Sequence, residues 1–327
     1  MQMSLCVSWM PLRHFDRVNH SLLFSKLLSR GVPRYVVRLL CFWYSRQTFC
    51  VQWAGLTSAS FTVSNGVRQG GILSPYLFNL YVDDLSLSLN ECNTGCYLGG
   101  RLVNHTMYAD DLVIFSPSDQ GLNDLLKKCE LYAQDHDILY NTAKSAIMVF
   151  RSKYEIDGKL LDFQLCDEVI PQVTKYRYLG HILCDNSRDD LDMTRQCRIL
   201  YAQGNVLKHR FHMCSNAVKL KLFRTFCYSV YTTHLWYNFT ATAFRKVNVA
   251  YNDAFRLLML LPRRCSASGM FVEHNVYGFK ALMRKYSYRF IVRLQRCGNS
   301  YITSLMNSDI RILSPIWRFW HECLFLH

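Results

Sequence analysis

Two adjacent carboxylates, Asp110 and Asp111, lie between short apolar runs and constrain the fold more than any other feature of the chain. The apolar residues 102–103 before them and 112–115 after them predict two strands of a hairpin, with the acids at its turn. Neighbouring carboxylates repel each other unless a cation lies between them. Hard oxygen ligands suit Mg²⁺, which is typically held by one or two carboxylates together with substrate phosphates. The alternative is a solvated acidic turn without a ligand.

A second motif upstream of this turn decides between these alternatives. Residues 64–75 have the sequence Ser-Asn-Gly-Val-Arg-Gln-Gly-Gly-Ile-Leu-Ser-Pro, and residues 108–111 are Tyr-Ala-Asp-Asp. In this order and spacing the two blocks resemble signature motifs of reverse transcriptases, specifically those of non-LTR (LINE-type) retrotransposons. The resemblance implies an α+β fold: a right-hand polymerase palm, formed by a mostly antiparallel sheet with packed helices, and then an all-α thumb and C-terminal region. It is strong over residues 15–183 and weak beyond them.

The resemblance also implies an activity and a set of partners. Such an enzyme is an RNA-directed DNA polymerase, which adds dNTPs to a primer 3′ end by phosphoryl transfer with two metal ions. We therefore expect an RNA template, a DNA primer, dNTP and Mg²⁺ as partners, with no membrane and no small-molecule cofactor. The chain begins at the first family motif, so the fingers segment is expected to be missing and the domain truncated at its N-terminus.

Individual residues match family positions, and each match has an ordinary structural alternative. Asp110 and Asp111 correspond to the catalytic, metal-binding acids. The residues that match nucleotide- or template-binding positions are Phe15, Arg68, Gln69, Gly70 and Lys144, and those that match the primer grip are Tyr178, Leu179 and Gly180. Phe15 would also fit a core position, Arg68 could pair with a neighbouring acid, and Lys144 could be a plain strand-edge lysine. The segment around Tyr178 also fits a half-buried strand.

The first catalytic block is where the chain departs from the family. The family block resembles Phe-Leu-Asp-Ala-Ser-Lys-Ala-Phe-Asp, and its end matches Phe15 and Asp16, but residues 7–14 do not match and Met10 stands where the first catalytic Asp belongs. If the family block is written in suitably chosen codons, a one-base slip of the reading frame translates as residues 7–14, which leads to the hypothesis of a frameshift; a divergent strand is the alternative. Because Met10 has no hard oxygen donor, we expect the chain to be catalytically degenerate.

The charge distribution supports a polyanionic partner. Residues 187–327 contain 21 Lys and Arg against 7 Asp and Glu, a net charge of +14, whereas residues 1–186 contain 17 of each. We divide the chain into a palm at 1–185 and a basic helical region at 186–327. A rival function is therefore a non-catalytic nucleic-acid binder that uses the basic half.

Scattered cysteines and the lack of a signal peptide or a long apolar run predict an intracellular protein, nuclear or cytoplasmic.

Periodicity predicts the main elements. Asp83 and Asp84 fall within a predicted helix, which indicates a structural or solvated role and not a catalytic one, and Ser74 is expected to cap that helix. A strand is predicted at 146–150. Helices are predicted at 19–30, 35–45, 76–89, 118–137, 194–212, 216–236, 240–260 and 278–296.

Overall fold

The computed structural model describes residues 5–11, 16–150, 162–309 and 314–325, with only the backbone of 5–11 and 323–325. The chain divides into two compact units, of which the first comprises residues 1–97 and 102–173 and the second comprises residues 98–101 and 174–327. This division falls between Val173 and Thr174 instead of after residue 185. The assignment of a palm and a thumb to the two parts stays a prediction.

The first unit is a mixed helix-and-sheet structure. Its elements are β1 (Leu5–Pro11), α1 (His20–Ser29), α2 (Arg34–Ser45), β2 (Thr48–Phe49), β3 (Gln52–Trp53), β4 (Leu56–Thr57), β5 (Phe61–Thr62), α3 (Ser74–Asn90), β6 (Cys96–Leu98), β7 (Arg101–Val103), β8 (His105–Tyr108), β9 (Asp111–Ser116), α4 (Asp119–Asp135), a 3₁₀ turn (Thr142–Lys144), β10 (Ala146–Phe150), β11 (Gln164–Leu165) and β12 (Glu168–Val169), with Leu98 and Arg101 at the ends of β6 and β7 counted in the second unit. Four of these strands form an antiparallel sheet with the order β10-β1-β9-β8. Small two-stranded ribbons pair β2 with β5, β3 with β4, β6 with β7 and β11 with β12.

Helix caps show why the helices of the first unit begin where they do. The side chain of Asn19 accepts hydrogen bonds from the backbone N–H groups of Ser21 and Leu22, and Ser118 caps α4 in the same way. The prediction that Ser74 caps α3 is wrong, because Leu73 occupies the cap position and makes no side-chain bond there. Ser74 is buried and its hydroxyl donates instead to the carbonyl of Arg68.

The hairpin that carries the acid pair is confirmed, but one of its strands differs from the prediction. The strand paired with β9 is the polar β8, whereas residues 102–103 belong to a separate strand, β7. Asn104 separates the two strands: it is buried, and its Nδ2 donates to the carbonyls of Leu89 at 2.6 Å and Thr94 at 3.1 Å. The apolar residues 102–103 do not predict this break between β7 and β8, because the carbonyls that bind Asn104 belong to α3 and to the loop after it.

One hydrophobic core fills the first unit, and α3 and α4 contribute much of it. Leu85, Leu89, Leu122, Leu125 and Cys129 are all fully buried. The predicted structural role of the α3 acids is confirmed, since they form ion pairs with α1. Arg30 bonds to Asp83 at 2.6 Å and Asp84 at 2.8 Å, and Lys26 bonds to Asp84 at 2.7 Å.

The second unit begins with a β-hairpin and continues as a helical bundle. Its elements are β13 (Lys175–Tyr178), β14 (His181–Cys184), α5 (Asp190–Phe211), α6 (Asn216–Phe226), a 3₁₀ turn (Thr233–Leu235), α7 (Ala241–Met259), α8 (Ala267–Glu273), α9 (Phe279–Gln295), α10 (Ser300–Asn307) and α11 (Pro315–Phe325). Helices α5 and α7 approach closely where Gly204 faces Ala254, since a Cβ on Gly204 would lie 3.0 Å from that of Ala254. Trp236, Tyr251 and Phe255 are fully buried in this core.

The helices of this unit differ from the sequence predictions in two respects. The helix predicted at 216–236 ends at Phe226, because the chain then turns through a left-handed Thr232 into a 3₁₀ turn. Helices α8, α10 and α11 were not predicted, since they are short or follow irregular segments. Within the ranges described, no helix combines the length and apolar character needed to cross a membrane.

Candidate functional site

The acid pair lies at the tip of a tight two-residue turn. Tyr108 pairs with Asp111, so Ala109 and Asp110 form the turn between β8 and β9. Ala109 has φ of +51°, a left-handed conformation that is costly for a residue with a Cβ. Asp110 and Asp111 are both half-buried. The backbone therefore holds two carboxylates at the edge of the sheet, with local strain at the residue before them.

Strand β1 runs beside the acid-bearing strand and brings the divergent first block to the same edge. Pro11 pairs with Asp111, and Met10 pairs with Leu112. Met10 therefore lies one residue along the ladder from an acid of the turn, a step of about 3.3 Å along a strand. The sequence comparison expected this neighbourhood for the position where the family has its first Asp, and the backbone register agrees with it.

The charges of Asp110 and Lys144 act on the carboxylate of Asp111 in opposite directions. Burial, and then the charge of Asp110, raise the pKa of Asp111, while the positive charge of Lys144 opposes the rise. Lys144 belongs to the 3₁₀ turn that precedes β10, the edge strand that pairs with β1. Asp110 and Asp111 are therefore neighbours at the turn, and Lys144 is near enough for its charge to act on Asp111.

The donor set of the tip fits one Mg²⁺ held partly by substrate. In the described part of the chain, no group of three or more His, Cys, Asp or Glu side chains could hold a metal ion. Two carboxylates are nevertheless sufficient for Mg²⁺ when waters and substrate phosphates complete its shell. Burial and the charge of Asp110 disfavour the ionised form of Asp111 and raise its pKa, an effect that added positive charge compensates. A divalent cation would supply that compensation.

The second motif is fixed against the segment that follows β1 by a close backbone approach. The N–H of Gly66 donates to the carbonyl of Val18 at 2.8 Å, and its own carbonyl lies 2.7 Å from Nε2 of His20. Gly66 has φ of +91°, and a Cβ there would lie only 2.8 Å from the backbone of Asp16. Gly66 and His20 are structural determinants that the motif comparison missed, since their partners are distant in sequence.

Arg68 and Gln69 line a cleft of about 550 Å³ together with Asp16 and His20. Nε2 of Gln69 donates to Oδ1 of Asp16 at 3.2 Å, so the predicted nucleotide-contacting amide pairs with a carboxylate here. Gly70 follows with φ of +79° and open space around its Cα, which leaves room for a ligand close to the backbone. The roles of these residues stay predictions. Phe15 lies outside the described residues.

The predicted primer-grip residues form a turn of the second unit. Tyr178 ends β13, and Leu179 and Gly180 link it to β14 with φ of +44° and +83°. The half-buried strand expected here is therefore a hairpin. A Cβ on Gly180 would lie 3.0 Å from the ring of Tyr231, so this turn packs closely on the segment after α6. The contact explains why a glycine stands there irrespective of any primer.

A buried polar network follows directly after this turn, and the sequence analysis missed it. Asp192 is fully buried and accepts hydrogen bonds from Trp236 Nε1 at 2.8 Å, Arg195 Nε at 2.8 Å and the Ile182 N–H at 3.1 Å. His181 lies 3.2 Å from the same carboxylate. Although burial disfavours a charged ring, the carboxylates of Asp189 and Asp192 raise the pKa of His181 to about 9. The one sequence feature that could have indicated this network is the cluster of Asp residues at the start of α5.

Comparison with known proteins identifies the family. The sequence profile of the family described as reverse transcriptase (RNA-dependent DNA polymerase) matches residues 13–183. A Pol polyprotein of the type-2 retrotransposable element R2DM from Drosophila melanogaster is 34% identical over 114 residues, which cover 35% of this chain and 11% of that protein. The RNA-directed DNA polymerase of the mobile element jockey from Drosophila funebris is 28% identical over 181 residues, which cover 52% of this chain and 18% of that protein.

Solved structures show a more distant similarity. A telomerase from Candida tropicalis, solved with a fragment of telomeric RNA, is 11% identical with a TM-score of 0.46, over 100% of this chain and 48% of that one. A TM-score below 0.5 does not establish a common fold, so the assignment rests on sequence. The profile matches more than half of the chain, and the relatives named above are retroelement proteins. The chain belongs to the reverse transcriptase (RNA-dependent DNA polymerase) family and, as its motifs predicted, resembles the enzymes of non-LTR retrotransposons.

Proposed function

We propose that the first unit is the palm of an RNA-directed DNA polymerase from a non-LTR retroelement, and that the β8–β9 turn carries its metal-binding acids. The observation that supports this most directly is the register of β1 on β9, with Pro11 opposite Asp111. This register brings the family's first-block position beside the acid turn, where a carboxylate could share a metal ion with Asp110 and Asp111. The chain matches only a small part of its relatives, so this activity is inferred from the domain.

In this proposal each residue has a defined role. Asp110 and Asp111 would hold Mg²⁺, which would supply positive charge to the phosphates of the substrate. Lys144 adds positive charge beside them, where the phosphates of the dNTP would lie. Gln69 exchanges its contact with Asp16 for a hydrogen bond to nucleotide or template, and Arg68 binds phosphate. An RNA template and a DNA primer are then the partners, which implies an intracellular location.

The same proposal includes a defect. The backbone position that lies beside the acid turn on β1 is Met10, and a thioether is a poor ligand for Mg²⁺. With two carboxylates instead of three, the site would hold one ion weakly and leave the attacking 3′ oxygen without its own metal. We therefore propose that the chain, as written, does not extend a primer.

Primer extension on an RNA template with dNTPs and Mg²⁺ tests both statements. The unaltered chain should give no product, and Met10→Asp should raise both extension and Mn²⁺ binding measured by electron paramagnetic resonance. Adding Asp110→Asn to Met10→Asp should remove both gains. Asp124→Asn, on the exposed face of α4, is the matched control and should change neither. Robust extension by the unaltered chain that Asp110→Asn abolishes would contradict the proposed defect.

A second candidate function is favoured by the charge of the C-terminal part. Residues 187–327 carry a net charge of +14, which is typical of proteins that bind a polyanion. In that case the chain binds nucleic acid without catalysis. A filter-binding titration across salt concentrations separates this candidate from an inert domain, because phosphate contacts make affinity fall steeply with salt. Affinity that does not change with salt would exclude it.

A further inference from the structure

Helix α2 presents a broad exposed face of aromatic and arginine side chains. Tyr35 is 75% exposed and Phe42 is 56% exposed, and Arg38 and Arg46 are exposed on the same side. At 3.6 residues per turn, positions 35, 38, 42 and 46 fall on one face. The opposite face is buried, with Val37, Leu40 and Tyr44 in the core of the first unit. The helix is therefore anchored on one side and presents flat rings and cations on the other.

The charge around this face has one sign. Residues 17–82 contain seven Lys and Arg and no Asp or Glu at all. Lys26 on α1 and Arg30 at its C-terminal cap form ion pairs with Asp83 and Asp84 of α3. In the described residues no such pair involves Arg34, Arg38 or Arg46, so their charges face solvent uncompensated. A surface of this kind favours an anionic ligand.

Within the face, one arginine and one ring already adopt the geometry of a stacking site. The guanidinium of Arg46 lies over the ring of Phe42, 4.1 Å from its centroid. Arg38 precedes Phe42 by one helical turn, so the exposed ring has an arginine on each side along the helix. Alternating aromatic rings and cations are the features with which proteins bind single strands, since rings stack on bases and arginines contact phosphates.

From this arrangement we propose that the outer face of α2 is a binding site for single-stranded nucleic acid, separate from the acid turn. A protein partner that docked by apolar contact alone would not need three arginines without a single acid. A duplex would present its phosphates but not its base faces to the rings. The ligand that matches both features is an unpaired strand whose bases stack on Phe42 and Tyr35.

Binding of a fluorescein-labelled U15 RNA to the full chain, in EDTA and without dNTP, tests the proposal. Loss of one stacking ring typically costs about 1–3 kcal/mol, so Phe42→Ala should weaken binding about 5- to 150-fold. Arg38→Gln should weaken binding and also lower the slope of log affinity against log salt by about 0.7. Tyr97→Ala, which removes an equally exposed ring from β6, is the control and should leave the affinity unchanged.

A conservative pair of variants separates stacking from apolar docking. Phe42→Trp should retain the affinity because it keeps a ring, whereas Phe42→Leu should lose it although it keeps apolar bulk. Equal binding by Phe42→Leu and the unaltered chain would overturn the proposal and indicate apolar docking to a protein. It would also be overturned if the RNA did not bind, or if it bound Phe42→Ala and Arg38→Gln as tightly as it binds the unaltered chain. Because metal and dNTP are absent, these outcomes do not depend on whether the acid turn is catalytic.

Discussion

His181 and Asp192 form a buried ion pair, with Nδ1 of the ring 3.2 Å from Oδ2 of the carboxylate. The ring also lies 3.7 Å from Asp189, and both acids favour its charged form against the opposing effect of burial. The carboxylate of Asp192 in turn is held ionised: burial would raise its pKa, but the ion pair with His181 and the hydrogen bond from Arg195 outweigh burial and lower the pKa. The pair connects the first residue of β14, directly after the hairpin turn, to the first turn of α5.

This ion pair predicts a loss of stability at alkaline pH. The pKa of His181 is raised from an unfolded value near 6.5 to about 9, so its stabilisation is complete below pH 6.5 and is lost as the pH rises to about 9. We expect the free energy of unfolding, from urea titrations monitored by circular dichroism, to fall by about 1–3 kcal/mol over this interval. His181→Gln should remove most of that pH dependence. An unchanged slope in the variant would contradict the assignment.

Removing the charge of Asp192 should be far more harmful than removing an exposed one. Asp192→Asn leaves His181 and Arg195 without their buried counter-charge, and the loss of one partner from a buried pair costs about 3–5 kcal/mol. Asp253→Asn is the matched control, since Asp253 pairs with Arg256 on α7 but is partly solvated. The control should lose at most about 1 kcal/mol. Thermal unfolding of both variants, monitored by circular dichroism, measures the difference, and equal losses would contradict the buried-pair argument.

The close approach at Gly66 predicts a substitution with both a steric and a conformational cost. Gly66→Ala would place a Cβ 2.8 Å from the backbone of Asp16 and would also force alanine to adopt φ of +91°. Gly55→Ala isolates the second cost, because Gly55 has φ of +81° with nothing within 4 Å of a built Cβ. The free energy of unfolding should fall by about 1–2 kcal/mol in Gly55→Ala and by clearly more in Gly66→Ala. Urea unfolding of the two variants measures the difference between these losses. Equal losses would mean that the backbone around Asp16 moves to accommodate the added Cβ at little cost.

Local patterns in the sequence were sufficient for the parts of the fold that depend on neighbours along the chain. The acid turn, α1, α4 and β10 all follow from apolar spacing and, for α4, from a capping residue. The prediction failed where distant groups decide. Asn104 breaks the expected strand by bonding to the end of α3, and the chain beyond Phe226 leaves the helix to reach Asp192 through Trp236.

The candidate site was predictable to a similar degree. The motif comparison selected Asp110, Asp111 and Lys144, and the charge of Lys144 acts on Asp111 in the structure, while the roles of all three residues stay predictions. It could not identify Gly66 or the contact of Gln69 with Asp16, since both depend on a loop that folds back on the segment after β1. Residues 178–180 matched a motif, but their turn has a packing explanation of its own in Tyr231.

Backbone strain at the acid turn gives the last prediction. Ala109 has φ of +51°, which costs an L-residue about 1–2 kcal/mol and costs glycine almost nothing. Ala109→Gly should therefore leave the free energy of unfolding unchanged or raise it by up to about 1 kcal/mol, despite the greater entropy of an unfolded glycine. Ala281→Gly, at an exposed position of α9, should instead lose about 1 kcal/mol. Urea titrations of the two variants make the comparison, and a loss in Ala109→Gly equal to that in Ala281→Gly would show that the turn is not strained.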